Sequence, residues 1–599
     1  MTTARSYLSK LASAQADARK QREDSDRLLA YNVTDIISEA EASALTPDLS
    51  PAELRFWQDD QRINDRGVGI DLDAVDAAIH VLGQAQTKYG AEMARLTGGL
   101  KSSEVAKLLS WLRDRGGYLD SLDEDAISPL LAARTLDPDV LRVLEIRALT
   151  ASASVKKYYA IRLQTSAQGR LHDMYSYHGA RTGRPTGSGV QSTNLPKAGP
   201  NVYKCGSCKR YHGSHTMTCH WCGTFQLRGP KAAEEWSGEA AECAIAALRF
   251  RSLELLELLF GDVLLTLAGC LRGMFIPAPG HDFVSSDFTA IEGVVIACIA
   301  GEKWRVDAYA AGSPMYLLSA ERMFGVSVQE MLDYAKANGR HHQLRQKGKG
   351  AELGLGFNGW INALRQFGVD GTDDELTDTV LKWRAASPNI EWFWGGQTRG
   401  AANGVRVNAG LPPVGRYDRW DSTPESFGLE GAAVSAVLNP GRSYPVLRLD
   451  GTPTGVSYEM VGDVLYCTVP SGGQITYHRP RLTKSDKAWR GMSLSFEGWN
   501  TNPKSGPTGW IRMNTYGGKL AENVVQKTAR DIQMSAIARL EDASYPIVMH
   551  TYDEVVAEVP EGFGSVEHLE GLMTQELPWT VGWPIKAAGG WRGKRYQKA

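Results

Sequence analysis

Residues 282–292 read DFVSSDFTAIE, and the fold turns on how this stretch is read. DFVSSDF alternates apolar and polar side chains, the pattern of a half-buried strand. The alternation stops at Asp287, and the IEGVVIACIAGE that follows is apolar enough for a buried helix. An acid at the tip of a core strand is costly unless a cation meets it. The alternative is an Asp that caps the next helix.

Two further stretches bear on that choice. Residues 544–560, SYPIVMHTYDEVVAEVP, hold two short apolar runs around HTYDE, which predicts a β-hairpin with Asp553 and Glu554 in its turn. Adjacent acids in a turn are commonly just solvated; beside a third acid on a neighbouring strand they make an oxygen cage suited to Mg²⁺. Residues 345–359, RQKGKGAELGLGFNG, place Arg345, Lys349, Leu353 and Phe357 four apart on one helix face. Two cations begin that stripe and apolar side chains end it.

In this order the three stretches resemble motifs A, B and C of the family A DNA polymerases, the bacterial DNA polymerase I family, with its phage-type branch most similar. DFTAIE resembles the family's DYSxIE, R-x3-K-x7-F its R-x3-K-x7-Y, and YDE its HDE. The resemblance implies an α+β right-hand polymerase: a palm with an antiparallel sheet, and helical fingers and thumb. It implies template-directed addition of dNTPs to a primer 3′-hydroxyl by two-metal-ion phosphoryl transfer, in phage DNA replication. Asp287 and Asp553 would hold two Mg²⁺ ions, with the backbone carbonyl of Phe288 as a further ligand and Glu554 assisting through water. Arg345 and Lys349 would grip the triphosphate, Lys349 also protonating the pyrophosphate. Glu292 stands in the sugar-reading position, where a carboxylate leaves no room for a 2′-hydroxyl. Three positions depart from the pattern: Phe357 replaces a Tyr whose hydroxyl bonds that Glu, Leu353 replaces an aromatic near the sugar, and Tyr552 replaces the His of HDE, with His550 two residues earlier.

The composition of the 599-residue chain is that of a globular protein, 43% hydrophobic and 22% charged. A net charge of −2 leaves no overall basic field, so DNA would be met by local basic patches. The start, MTTARSYLSK, has no apolar signal segment, and no 18-residue apolar run follows. The expectation is a soluble cytoplasmic protein, in the host cytoplasm if viral, with no membrane partner. Of eight cysteines, Cys243, Cys270, Cys298 and Cys467 are scattered. The others form CxxC-x10-CxxC within residues 205–222, a spacing specific for structural Zn²⁺ on Cys205, Cys208, Cys219 and Cys222. Ligation by three of them with His212, His215 or His220 is the alternative.

The remaining stretches divide the chain. Residues 1–48 are a helical segment in which Tyr31 and Asp35 resemble the last motif of a proofreading exonuclease. The chain is expected not to proofread, and a separate exonuclease or processivity subunit is a candidate partner. Residues 49–168 would be the thumb and the entry to the polymerase module, with GVGIDLD a turn and helix start, a loop near Pro138, and Lys156 and Lys157 meeting duplex phosphates. Residues 169–300 would be the first part of the palm. Its Gly/Ser/Thr-rich loop would lay Arg181 and Arg184 along a duplex, and a zinc ribbon is inserted at 203–224. Residues 301–425 would be the fingers, and 426–599 the second part of the palm. There 429–445 breaks the helical pattern, and 440–515 is a β insertion, basic at 478–490. QKTARDI resembles the family's QGTAADI, which puts Asn523, Gln526 and Arg530, with His550 beyond, on the primer-template side. Glu292 speaks against a single-subunit RNA polymerase, where that position is small. Asp287 and Asp553 speak against a catalytically silent zinc-containing DNA-binding protein.

Overall fold

The computed structural model describes the chain except for residues 1, 47, 152, 193–194, 197–198, 201, 214–215, 226–237, 339, 396–427, 485–491, 502–505 and 598–599. Two units are distinct, Met1–Gln58 and Asp59–Ala599. The first holds a long helix, Thr2–Leu45, on which Leu28, Tyr31 and Ile36 are exposed.

The second unit is built around a four-stranded antiparallel sheet of β1 (His281–Phe288), β2 (Ile547–Thr551), β3 (Glu554–Pro560) and β4 (Ala587–Gly593), in the order β2-β3-β1-β4. Central β1 departs from the half-buried expectation, because Phe283 to Ser286 are buried on both faces. Its serines are tolerated there because both hydroxyls are bonded. Ser285 Oγ donates to Glu554 Oε1 at 3.2 Å and Ser286 Oγ to Glu570 Oε1 at 2.8 Å. The alternation therefore marked polar groups with partners, not a solvent face.

Three helices frame the site: α1 (Ile291–Ala300), α2 (Gln343–Leu355) and α3 (Gly517–Asp542). α1 packs on α3, and α3 is buried on most of its circumference, including Val524, Val525, Ile532 and Ile537. Ahead of β1 lie helices Leu72–Thr97, Val105–Arg113, Glu124–Ala133, Pro138–Ala151 and Ala153–Gln164. Pro138 opens one of them instead of marking a loop, since its missing N–H costs nothing in a first turn. The stretch GVGIDLD also differs from expectation. Between turn and helix, Val68–Ile70 forms a strand paired with Arg170–Leu171 and Phe275–Ile276. Asp71 then caps the helix by accepting from the Ala74 amide at 3.1 Å.

Between α2 and α3 the chain forms a six-stranded antiparallel meander, from Ser443–Leu447 at one edge to Gly509–Thr515 at the other. Tyr458, Cys467, Ile475, Tyr477 and Phe496 are buried on it. Of its basic stretch, residues 485–490 lie outside the described residues. The residues before the meander do not break the helical pattern at 429: Gly428–Leu438 is a helix, and the break falls at Asn439 and Pro440. A two-stranded hairpin, Val202–Lys204 with Tyr211–Gly213, carries the cysteine cluster.

Candidate active site

Register builds the site. β2 and β3 form a hairpin closed by the pair Thr551 and Glu554, so its two-residue turn is Tyr552–Asp553. Tyr552 takes the left-handed conformation that such a turn demands, with φ 53°. β3 pairs with β1 so that Glu554 lies opposite Asp287, and the Phe288 amide donates to the Asp553 carbonyl at 3.0 Å. Asp287, near the end of a strand, and Asp553, in the adjoining turn, are thereby neighbours. Glu554 does not share the turn, contrary to the sequence expectation. It opens β3, is 1% exposed, and accepts from Ser285 Oγ and, at 2.7 Å, from the Tyr596 hydroxyl. Its carboxylate is anchored beneath the turn.

A cavity of about 800 Å³ opens over this edge, lined among others by Asp553, Tyr552, Glu292, Arg345, Leu353 and Phe357. The regular part of α2 stops at Leu355, so Phe357 stands in the turn after the helix and not on its face. Asn358 then reverses the chain at φ 61°. The Arg345 guanidinium lies 5.7 Å from the centre of the Tyr316 ring. Lys349 is half-buried on the same helix and is not among the residues lining the cavity.

Three features here left no signal in the sequence. Arg305, 3% exposed, pairs with Glu352 of α2 and donates to Ser387 Oγ at 2.9 Å. Trp383 Nε1 donates to the same Glu352 at 3.0 Å, so α2 is pinned from behind by a buried, hydrogen-bonded charge pair. Lys586, which lines the cavity as Asp553 does, donates to the Ala310 carbonyl at 2.6 Å. Arg184 Nη2 donates to Glu292 Oε1 at 2.5 Å. Asp287 and Asp553, on adjoining elements, offer hard carboxylate oxygens, a donor type that fits Mg²⁺ and not a thiophilic metal.

No protein-family model matches the chain. A DNA polymerase of Bacillus phage SP02 is 33% identical over 542 residues, which span 90% of this chain and 70% of the phage protein. The chain belongs to the family A DNA polymerases. Its fold is similar to that of the polymerase domain of Pol1 from M. smegmatis, solved in complex with DNA primer-template and dNTP. That likeness has a TM-score of 0.51 at 14% identity, over 92% of this chain and 70% of the other.

Most of the side chains expected to face DNA are engaged within this polymerase. Lys156 is exposed on helix Ala153–Gln164, but Lys157 Nζ donates to the carbonyls of Val190 and Gln191 at 3.1 and 3.0 Å. Arg181 stacks 4.3 Å from the centre of the Phe496 ring on the meander, where burial lowers its pKa. Asn523 is buried and donates to the Tyr477 hydroxyl at 3.0 Å. Gln526 is half-buried, 3.4 Å from Glu522. Arg530 is buried and donates to the Gly183 carbonyl at 3.0 Å. His550 is buried and stacked on Tyr175, ring centres 4.2 Å apart. The sequence shows cations in a Gly-rich loop and on a helix face. It does not show that the meander and α3 close over them.

The four cysteines converge. Sγ atoms of Cys205 and Cys222 are 3.8 Å apart, those of Cys208 and Cys219 3.7 Å, and all four lie within 4.8 Å of one another. A tetrahedral Zn²⁺ with Zn–S near 2.3 Å separates its sulfurs by about 3.8 Å, so the cluster fits that ion. His212 Nδ1 is 3.1 Å from the Gly213 carbonyl, and His220 Nε2 is 3.7 Å from Cys243 Sγ. His215 lies outside the described residues. Among the described residues no helix is long and apolar enough to cross a membrane.

Proposed function

We propose that this polymerase extends a primer 3′-hydroxyl along a DNA template with dNTPs, using Asp287 and Asp553 to hold two Mg²⁺ ions. The observation that carries the reading is the register of β1 against the hairpin, which brings Asp287 next to the turn holding Asp553, a residue that lines the cavity. The Phe288 carbonyl is the further oxygen ligand. Bound Mg²⁺ would lower the pKa of the 3′-hydroxyl and neutralise charge on the triphosphate. Arg345 and Lys349 bind the triphosphate. The 3′-hydroxyl gives up its proton to solvent water, its oxygen bonds to the α-phosphorus as the bond to pyrophosphate breaks, and Lys349 gives a proton to the departing pyrophosphate. Glu554, anchored by Ser285 and Tyr596, holds the turn that carries Asp553. Glu292, with Phe357 and Leu353 beside it, reads the sugar and favours deoxynucleotides.

Residues 49–168 are proposed as thumb, 169–300 and 426–599 as palm, and 301–425 as fingers. Lys156 is the thumb cation best placed for duplex phosphates, because it is exposed. Arg181, Asn523, Gln526 and Arg530 then serve DNA by holding the loop, α3 and the meander in place. The cysteine cluster takes one structural Zn²⁺. Tyr31 and Asp35 stand exposed on their helix. Phage replication in the host cytoplasm is the proposed setting. The test is single-nucleotide addition on four primed templates that differ in the next base. With Mg²⁺, only the complementary dNTP should be added on each template, and chelation should stop the reaction. Addition that ignores the template base would contradict the reading.

A further inference from the structure

Arg184 and Glu292 are 108 residues apart in sequence and joined at 2.5 Å across the cavity wall. Their side chains are 18% and 36% exposed, so solvent screens the pair less than one on an open surface. Glu292 lies in the first turn of α1, where the helix dipole favours a carboxylate but does not select its rotamer. Leu353 and Phe357, which line the same cavity, have no side-chain donor to offer it. Arg184 is itself held. The Gly183 amide donates to the Ala180 carbonyl at 2.9 Å and the Ala180 amide to the Arg184 carbonyl at 3.1 Å, a tight turn with Gly183 at φ 76°. Buried Arg530 of α3 donates Nε to the Gly183 carbonyl at 3.0 Å and Nη2 to the Tyr177 hydroxyl at 2.9 Å. A rigid path therefore runs from α3 through the turn and Arg184 to Glu292.

We infer that Arg184 is a positioning residue for sugar selection, holding the Glu292 carboxylate in the one rotamer that excludes a 2′-hydroxyl. The inference rests on the proposed role of Glu292. A Glu side chain without a fixed partner samples several rotamers, some of which leave space for the ribose hydroxyl. Where Leu353 and Phe357 provide no donor, the Arg184 guanidinium supplies the restraint.

The test is the ratio of kcat/KM for a dNTP to that for the matching NTP on one primer-template. It is measured for wild type, Arg184→Ala, Arg184→Lys, Glu292→Ala and the double variant Arg184→Ala/Glu292→Ala. Glu292→Ala should lower the ratio on the order of a hundredfold or more and Arg184→Ala roughly tenfold, with Arg184→Lys between Arg184→Ala and wild type. The double variant should match Glu292→Ala alone, because a residue acting through another adds nothing once that one is gone. Two results would overturn the inference while leaving the sugar-reading role of Glu292 intact. One is an unchanged ratio in Arg184→Ala. The other is an equal fold-loss from Arg184→Ala in both backgrounds. An unchanged ratio in Glu292→Ala would overturn the role of Glu292 and the clamp together. Should Arg184→Ala not fold, Arg184→Lys and its double with Glu292→Ala decide by the same comparison.

Discussion

His550 shows how a residue's chemistry changes when the chain folds around it. Burial, reinforced by the positive charge of Arg530, pushes its pKa down to about 4 from an ordinary 6.5. Between those values the unfolded chain binds a proton that the native one refuses, so stability falls as pH drops from 6.5 toward 4. The loss is at most about 3 kcal/mol. Asp60 acts in the opposite direction: burial raises its pKa from 3.8 to about 6, and its contribution is full below 3.8 and lost as pH rises through 6. His550→Phe keeps a ring against Tyr175 and removes the titrating group. Its denaturation midpoint should therefore fall less than that of wild type between pH 7 and pH 4.5. Parallel curves would contradict the assignment. At this scale the sequence disclosed residue types well. Asp287, Glu292 and Arg345 stand out by position in their stretches, whereas the partners that fix Glu292 and Arg530 are scattered over hundreds of residues and no spacing announces them.

The hairpin Val202–Lys204 and Tyr211–Gly213 is too small to bury a core, so its fold depends on what its cysteines hold. Metal analysis of the purified protein should find one Zn²⁺ per chain. Replacing Cys205 and Cys208 by Ser should release it and weaken nucleotide addition severalfold without abolishing it. Freshly purified protein without zinc would contradict the cluster's role. The cysteine spacing was legible because a tetrahedral site constrains it. The meander was legible because its Thr, Tyr and Val runs suit a pleated surface. Helix Gly428–Leu438 was not, because LEGAAVSAVL is buried from Leu429 to Ala436 except at half-buried Glu430, and a single such position gives no period to read. β1 misled for the converse reason: its serines look solvated, but Ser285 is bonded to Glu554 of the sheet and Ser286 to Glu570 of helix Val566–Met573.

Over the whole molecule, the order of the three motif-bearing stretches was the most legible feature, since each carries its own local pattern. What the order did not reveal is closure. Arg66 reaches Glu541 across 475 residues, and Arg530 reaches Gly183 across 347. A chain with net charge −2 has no overall basic field, so the proposed function has DNA met by exposed cations such as Lys156 and by metals that Asp287 and Asp553 would hold. The most direct measurement is single-turnover nucleotide addition by Asp287→Ala and Asp553→Ala, with primer-template affinity measured in parallel. Each variant should bind primer-template within a few fold of wild type and lose on the order of a thousandfold or more in addition rate, about 4 kcal/mol of barrier. Turnover above a few per cent of wild type in either variant would contradict the metal assignment.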